Sequence, residues 1–518
     1  MTDYVFGANV LENLTTGMYQ DSKVIYREYI QNSCDQIDKA IKDGILKPGE
    51  GFIKIWLDHG QRTIVIEDNA TGIPATSFRR TLGNIADSDK KIGEDKGFRG
   101  IGRLCGLAYC KELVFVSSAR GEDTISIMVC DAKKMRGLIE ENERGKKHTA
   151  NEVLHAINHF DQKKTDDIDS HFFRVELIDI NRENTDLLNF QQVKDYLSFV
   201  APVPYQSSFY YRSDVYKHAT ELGVKIDEYN VTLDGEPIFK KYTTILKDTA
   251  GTKYDDIFGV HFKDFYNTDG ELFAWMWVGL SKFQRAIPKI NQMRGLRLRK
   301  ENIQIGGEDA LQKLFKEDRG NSYFVGEVFA VDKDLIPNSQ RDYFNENTAR
   351  AEFERELRKY FNEELHKIYY DGSAINSAYK KITTYEKKEA EFKEKEATGS
   401  FVDDEHRERE LKVVIESKKE AETAQVRINK MKDKADDLMQ KVISRIEVEL
   451  PKLVATALIP PANTDAPEEA KLPRRTDRLT QYSRNERKLI SKIFSIILAA
   501  IDSETAERII KRIEEELQ

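Results

Sequence analysis

Cysteine is scarce and unpatterned in this chain. Cys34, Cys105, Cys110 and Cys130 form no C-x-x-C pair and have no histidine at metal-ligand spacing. That excludes a disulfide framework or zinc ribbon and leaves free, buried thiols in a reducing compartment. Long apolar runs are missing too. The longest, residues 493–501, is broken by Ser495 and falls well short of the ~20 residues needed to span a bilayer. The N-terminus carries no apolar signal core, so the expected setting is cytoplasmic, with no membrane partner. Neither sign of charge dominates: 81 Lys plus Arg against 89 Asp plus Glu gives a net charge of −8. This excludes a chain that coats nucleic acid over its whole surface and leaves room for a local basic patch. Proline is rare, and four of the 12 fall between 459 and 479, which marks 459–480 as a linker.

At 518 residues, 40% hydrophobic and 33% charged, the chain is too long for one core, and about three or four domains are expected. Residues 8–20 and 22–43 read as helices. β-Branched runs at 53–58 and 63–67 flank His59-Gly60-Gln61, a hairpin signal. Residues 77–85 look helical, 86–95 are charged and aperiodic, and 112–118, 124–131 and 172–180 read as strands. Helices and antiparallel strands interleave without regular βαβ repetition, which predicts an α+β fold. The first domain is expected over 1–205, ending at Pro202 and Pro204. A second α/β region follows over 206–370, with strands at 229–233, 272–278, 295–299 and 323–331. A Lys/Glu-rich helical region spans 371–458. Within it Val414, Ser417, Ala421, Ala424, Ile428, Met431, Ala435, Leu438 and Val442 recur in steps of three and four. That seam suits a coiled coil, either an antiparallel helical hairpin or a parallel dimer. Residues 481–518 read as closing helices, the first opened by the capping box Ser483 to Glu486.

Four short stretches carry chemistry. Glu28, Asn32 and Asp35 share one helix face at i, i+4 and i+7, an acid-amide-acid row that is costly to bury unless something uses it. Asp68 ends a predicted strand and begins a turn reaching Gly72 and Pro74, so its carboxylate can accept from an exocyclic amine. Lys96, Gly97, Arg99, Gly100, Ile101, Gly102, Arg103 and Gly106 form a basic, glycine-rich loop leading into an apolar helix, a backbone-amide site for phosphates. No G-K-[ST] follows, which excludes a Walker A loop. Farther on, Asn338 and Arg341 follow the predicted strand 323–331. Arg285, Lys289, Arg294, Arg297, Arg299 and Lys300 form a basic cluster. Its strand portion is open to two readings, a face for DNA phosphates or a solvated edge.

The order of these pieces resembles the ATP-binding domain of the GHKL superfamily: gyrase B, the heat-shock-90 chaperone, histidine kinases and MutL. Glu28 to Asn32 resembles the family's N-box, Asp68 to Gly72 its first glycine box and Gly97 to Gly102 its second. The resemblance implies a Bergerat α/β sandwich binding ATP under a lid at about 84–102. It further implies a transducer domain after it, ahead of the coiled-coil region that the a/d spacing predicts. By the same resemblance Glu28 is the general base, Asn32 the Mg2+ ligand and Asp68 the reader of the adenine amine. Gly97, Gly100 and Gly102 hold phosphates, and Asp35 is structural or adenine-proximal. Asp334 to Asp342 resembles the chaperone's middle-domain catalytic loop, with Arg341 on the γ-phosphate and Asn338 holding the loop. Two departures stand out: Ala70 replaces a common glycine, and Phe172-Phe173 begins the strand that usually brings a threonine near adenine. The implied function is an ATP-driven switch that closes as a homodimer, with slow Mg-dependent hydrolysis and a protein client. The alternatives are a MORC- or MutL-like clamp on duplex DNA and a scaffold that binds ATP without turnover.

Overall fold

Alternating apolar and charged residues around 52–68 make strands, and burial of one alternate set decides which face turns inward. Strand β1 (Phe52–Asp58) hides Ile53 and Ile55, and β2 (Thr63–Asp68) hides Ile64, Ile66 and Asp68. The computed structural model describes residues 5–15, 17–18, 21–85, 100–449, 479, 481–500 and 503–517. In it these strands join β3 (Cys110–Ser118), β4 (Thr124–Asp131), β5 (Asn158–Lys164), β6 (Phe172–Ile180), β7 (Asn230–Leu233) and β8 (Glu236–Pro237). The sheet order is β5-β4-β3-β6-β2-β1-β7-β8, antiparallel throughout except for β1 with β7. Helix Val24–Lys42 packs Ile25, Tyr26, Tyr29, Ile30, Cys34 and Ile37 into the core of this sheet, burial of each isoleucine being worth about 1.5–3 kcal/mol. The class is α+β, as the sequence predicts.

The chain does not leave this sheet at 205. Asn230 to Leu233 pair with Phe52 to Ile55, and Tyr229, Val231, Leu233 and Ile238 join the same core. The Tyr229 amide also donates to the Pro202 carbonyl (2.9 Å). A four-residue strand carries no local mark of the sheet it will join, and the two prolines only turn the chain.

A two-stranded ribbon of β9 (Ile245–Lys247) and β10 (Lys253–Asp256) precedes a second sheet. That sheet comprises β11 (Gly259–Tyr266), β12 (Leu272–Leu280), β13 (Gly295–Lys300), β14 (Ile303–Ile305) and β15 (Val325–Ala330), in the order β11-β12-β15-β13-β14. Here the basic cluster is corrected. Every residue of β13 is buried. Arg299 donates to Glu327 (2.7 Å), and Arg297 lies over the Phe199 ring, 4.1 Å from its centroid, and donates to Gln304 (3.0 Å). Glu327 also accepts from Lys240 (2.9 Å), Tyr242 (3.1 Å) and Tyr205, and Lys240 donates to Asn302 (2.6 Å). Burial lowers the Lys240 ammonium to about 7, while Arg299 and Lys240 outweigh burial and hold Glu327 at about 2. Such a cluster is tolerated inside because each charge is paired and hydrogen-bonded. Neither a DNA face nor a solvated edge remains at Arg297 and Arg299.

Two compact units divide the chain: Met1–Ser281 with Ala286–His366, and Lys282–Arg285 with Lys367–Gln518. The second is helical among its described residues. Helices His366–Ala397 and Asp404–Asp433 form an antiparallel hairpin, with Lys388 bonded to Ser417 (2.8 Å) and Lys395 to Glu410 (3.0 Å). Val414, Ala421, Ala424 and Ile428 are buried along it. The seam does not run straight through to Val442. Asp436 accepts from the Met439 amide (2.8 Å) and opens a separate helix, Asp437–Glu449, running beside the first through Lys367–Asp436 (3.1 Å) and Tyr379–Glu447. The last helices, Arg484–Ala500 and Ser503–Glu516, share a small core of Leu479, Phe494 and Ile510. The Ser483 amide donates to Glu486 (2.8 Å). Apart from Leu479, the predicted linker 459–480 lies outside the described residues.

Candidate active site

The site is built on helix Val24–Lys42. Its apolar residues fix it to the sheet, Glu28 lies against Gly102 of the glycine turn, and Ser33 meets the end of β2. Glu28 and Asp35 are buried and Asn32 is half-buried. The Glu28 carboxylate accepts from Arg27 (3.2 and 3.4 Å). A Cβ at Gly102 would meet Glu28 Oε2, so a side chain there would have to push the carboxylate aside. Tyr29 pins the same turn, its hydroxyl donating to the Arg103 carbonyl (3.0 Å) and accepting from the Gly106 amide (3.2 Å).

Gly100 has the left-handed φ of 66° that glycine adopts without cost, and its carbonyl accepts from Arg103 (2.9 Å). From Gly102 the chain enters a helix as expected, a seven-residue 3-10 helix over Gly102–Ala108. Gly106 is buried against Tyr29 and Leu113, which leave little room for a side chain. Ile101 caps this element and is half-buried. Lys96, Gly97 and Arg99 lie outside the described residues, as does the predicted lid except for 84–85 and 100–102.

Asp68 is 1% exposed at the end of β2. Ser33 of the helix donates to its Oδ2 (2.7 Å), and the Ala70 amide donates to its Oδ1 (3.1 Å). Burial pushes the Asp68 carboxyl up to about 7 against the pull of these two donors. Ala70 is fully buried and adopts no left-handed backbone, so the turn accepts it in place of glycine. Gly72, at φ 64°, is required, because a Cβ there would collide with the Ser118 carbonyl. Thr71 ties the turn to the helix through Gln36 (2.9 Å). Phe173, opposite Asp68 on β6, stacks on Phe115 and offers no hydroxyl.

The loop after β15 reaches this same helix from 313 residues away. Arg27 donates to the Gln340 carbonyl (3.0 Å) while it also holds Glu28. Arg341 is 7% exposed, with a left-handed φ of 54° that is unusual for a residue with a side chain. Its amide donates to the Asn338 carbonyl (3.1 Å), and its carbonyl accepts from the Gly306 amide (2.8 Å). Burial lowers its guanidinium pKa; the nearby carboxylates of Glu28, Glu301 and Asp35 oppose this, and Arg27 adds to it. Asn338 turns inward on its own loop, its amide donating to Tyr343 (2.9 Å) and its side chain to Asp342. Lys300, at the end of β13, donates to the carbonyls of Asp332 (2.6 Å) and Val331 (3.4 Å), where the loop begins.

The structure therefore brings Gly102 against Glu28, Arg341 within electrostatic reach of Glu28 and Asp35, and Asp68 against Ser33 of the same helix, while Asn338 bonds within the Arg341 loop. Sequence reasoning missed Arg27, Ser33 and Lys300. Arg27 and Ser33 adjoin motif residues and carry no spacing of their own, and Lys300 was grouped with a surface patch.

A buried carboxylate at a strand end, a glycine turn over an acid-amide helix and an arginine from a later loop define a class, and the comparisons give the same one. Residues 20–165 match the histidine kinase-, DNA gyrase B- and HSP90-like ATPase family. This part of the chain is a GHKL-superfamily ATPase domain resembling that of HSP90. The chaperone protein HtpG of Buchnera aphidicola subsp. Acyrthosiphon pisum (strain APS) is 29% identical over 161 residues, 25% of each chain. HtpG of Coxiella burnetii (strain RSA 331 / Henzerling II) is 34% identical over 85 residues, 15% of this chain and 13% of its own. The chain thus covers a quarter or less of the length of these relatives.

Proposed function

We propose that the chain is an ATP-driven conformational switch of the HSP90-like kind, hydrolysing ATP slowly with Mg2+ and closing as a homodimer on a protein client in the cytoplasm. The observation that carries this is the Arg27 bridge from Glu28 to the Gln340 carbonyl, which brings the loop of Arg341 within electrostatic reach of Glu28. In this mechanism Asp68 accepts from the adenine 6-amino group, and the amides of Gly97, Gly100 and Gly102 bind phosphate oxygens, with Lys96 and Arg99 adding charge. Glu28 takes the proton of the attacking water, with its carboxylate aimed by Arg27. Arg341 stabilises the charge that develops on the γ-phosphate oxygens. Among the described residues no group of three or more His, Cys, Asp or Glu side chains could hold a metal. The Asn32 amide oxygen is a hard donor suited to Mg2+ that is otherwise held by phosphates and water. That ion would supply charge neutralisation across the phosphates. Slow turnover follows because the parts come from segments that must first assemble.

With Arg297 and Arg299 buried, the duplex-DNA alternative loses the face on which it rested. The presence of both Glu28 and Arg341 speaks against a scaffold without turnover. No helix among the described residues is long and apolar enough to cross a membrane. The test is steady-state hydrolysis by the full chain: Glu28→Ala should bind ATP and lose at least about 100-fold in kcat. Hydrolysis at the wild-type rate would remove the general-base assignment.

A further inference from the structure

Asp68 is an acceptor only while it is ionised, and burial works against ionisation. A protonated carboxyl gains an O–H donor. That difference matters for purine choice, because adenine presents a 6-amino donor where a 6-oxopurine presents an acceptor. An ionised Asp68 welcomes the first and repels the second, whereas a protonated one accommodates the second. Whatever keeps the carboxylate charged therefore also keeps the site selective. The backbone supplies one such donor, the Ala70 amide at 3.1 Å from Oδ1. The other is a side chain: Ser33, 5% exposed, whose hydroxyl lies 2.7 Å from Oδ2. It comes from the helix one turn beyond Glu28. The adjacent strand places Phe173 opposite Asp68, its ring against Phe115, and gives no hydroxyl from that side.

We propose that Ser33 is a positioning residue for base selection, its hydroxyl holding the Asp68 carboxylate oriented and ionised so that the site takes adenine nucleotides and rejects 6-oxopurine nucleotides. The proposal rests on the nucleotide-site reading above and adds to it the residue that sets purine preference. The backbone donor survives any substitution at position 33, so loss of the hydroxyl removes one of the two donors without emptying the site. A hydrogen bond to a charged group is worth roughly a factor of ten in a binding constant.

The experiment measures dissociation constants of ATP and inosine triphosphate, with Mg2+, for the full-length wild type, Ser33→Ala and Ser33→Thr, each first shown to be folded by its thermal melt. The wild type should prefer ATP. Ser33→Ala should reduce that preference about tenfold, and Ser33→Thr, which restores a hydroxyl, should recover most of it. A general packing defect would weaken both nucleotides alike and leave their ratio unmoved. A wild-type preference that Ser33→Ala leaves within about twofold overturns the role of Ser33 and leaves the nucleotide reading standing. A wild type that binds neither nucleotide overturns both.

Discussion

At Asp68 burial and hydrogen bonding pull in opposite directions, and burial wins: the carboxyl moves from 3.8 up to about 7. A folded-state pKa above the unfolded value means that the protonated form is favoured on folding. The resulting stability is fully present below the ordinary carboxylate pKa and is lost as pH rises through about 7. In the nucleotide-free protein, Asp68→Asn removes this titration. Its melting temperature should therefore gain on the wild type between about pH 5 and about pH 8. A constant difference across that range, checked by calorimetry, would contradict the buried-carboxylate assignment. Asp68, Gly72 and the Glu28–Asn32 pair were legible because spacing alone places them: one ends a strand, one needs a left-handed turn, and two share a helix face. Arg27 and Ser33 were not. An arginine beside an acid on a helix points away from it by default, and a serine beside an asparagine gives no sign of what it touches 35 residues later.

Between residue and molecule, the hairpin of β13 and β14 places the arginine loop. Glu301 and Asn302 make its turn with left-handed φ values of 52° and 61°, the geometry a two-residue antiparallel connection needs. Asn302 is anchored to Lys240 and to the Asp227 carbonyl (2.6 Å each). Lys300 grips the start of the loop, and the Gly306 amide holds the Arg341 carbonyl. Lys300→Met should lower kcat by about tenfold or more while changing ATP affinity by less than about threefold, with partial recovery in Lys300→Arg. An unchanged kcat would show that the loop does not need this grip. The strand itself was legible from its alternation, but its surroundings were not. Alternate arginines look the same whether they face water or a buried glutamate, and Glu327 lies on a strand that pairs in parallel with β13 across a long connection. The first sheet draws in a strand beyond 205 for a related reason, since β7 is recruited by a partner far away in sequence.

At the scale of the molecule, local pattern was enough to predict an α+β region followed by helices. It could not decide between a hairpin and a parallel dimer for the charged helices, because an a/d seam fits either. The chain makes the hairpin with itself, through contacts such as Lys388 to Ser417. The first unit joins a GHKL-type domain to a second sheet whose loop returns to the helix that carries Glu28, and the proposed switch depends on that return. Arg341 is its most exposed assumption, because nothing in the sequence between 205 and 334 requires the loop to come back. The direct measurement compares ATP affinity with single-turnover hydrolysis in Arg341→Ala and the wild type. The account predicts near wild-type ATP binding with hydrolysis slowed by about 100-fold or more. Hydrolysis at the wild-type rate in Arg341→Ala would contradict it.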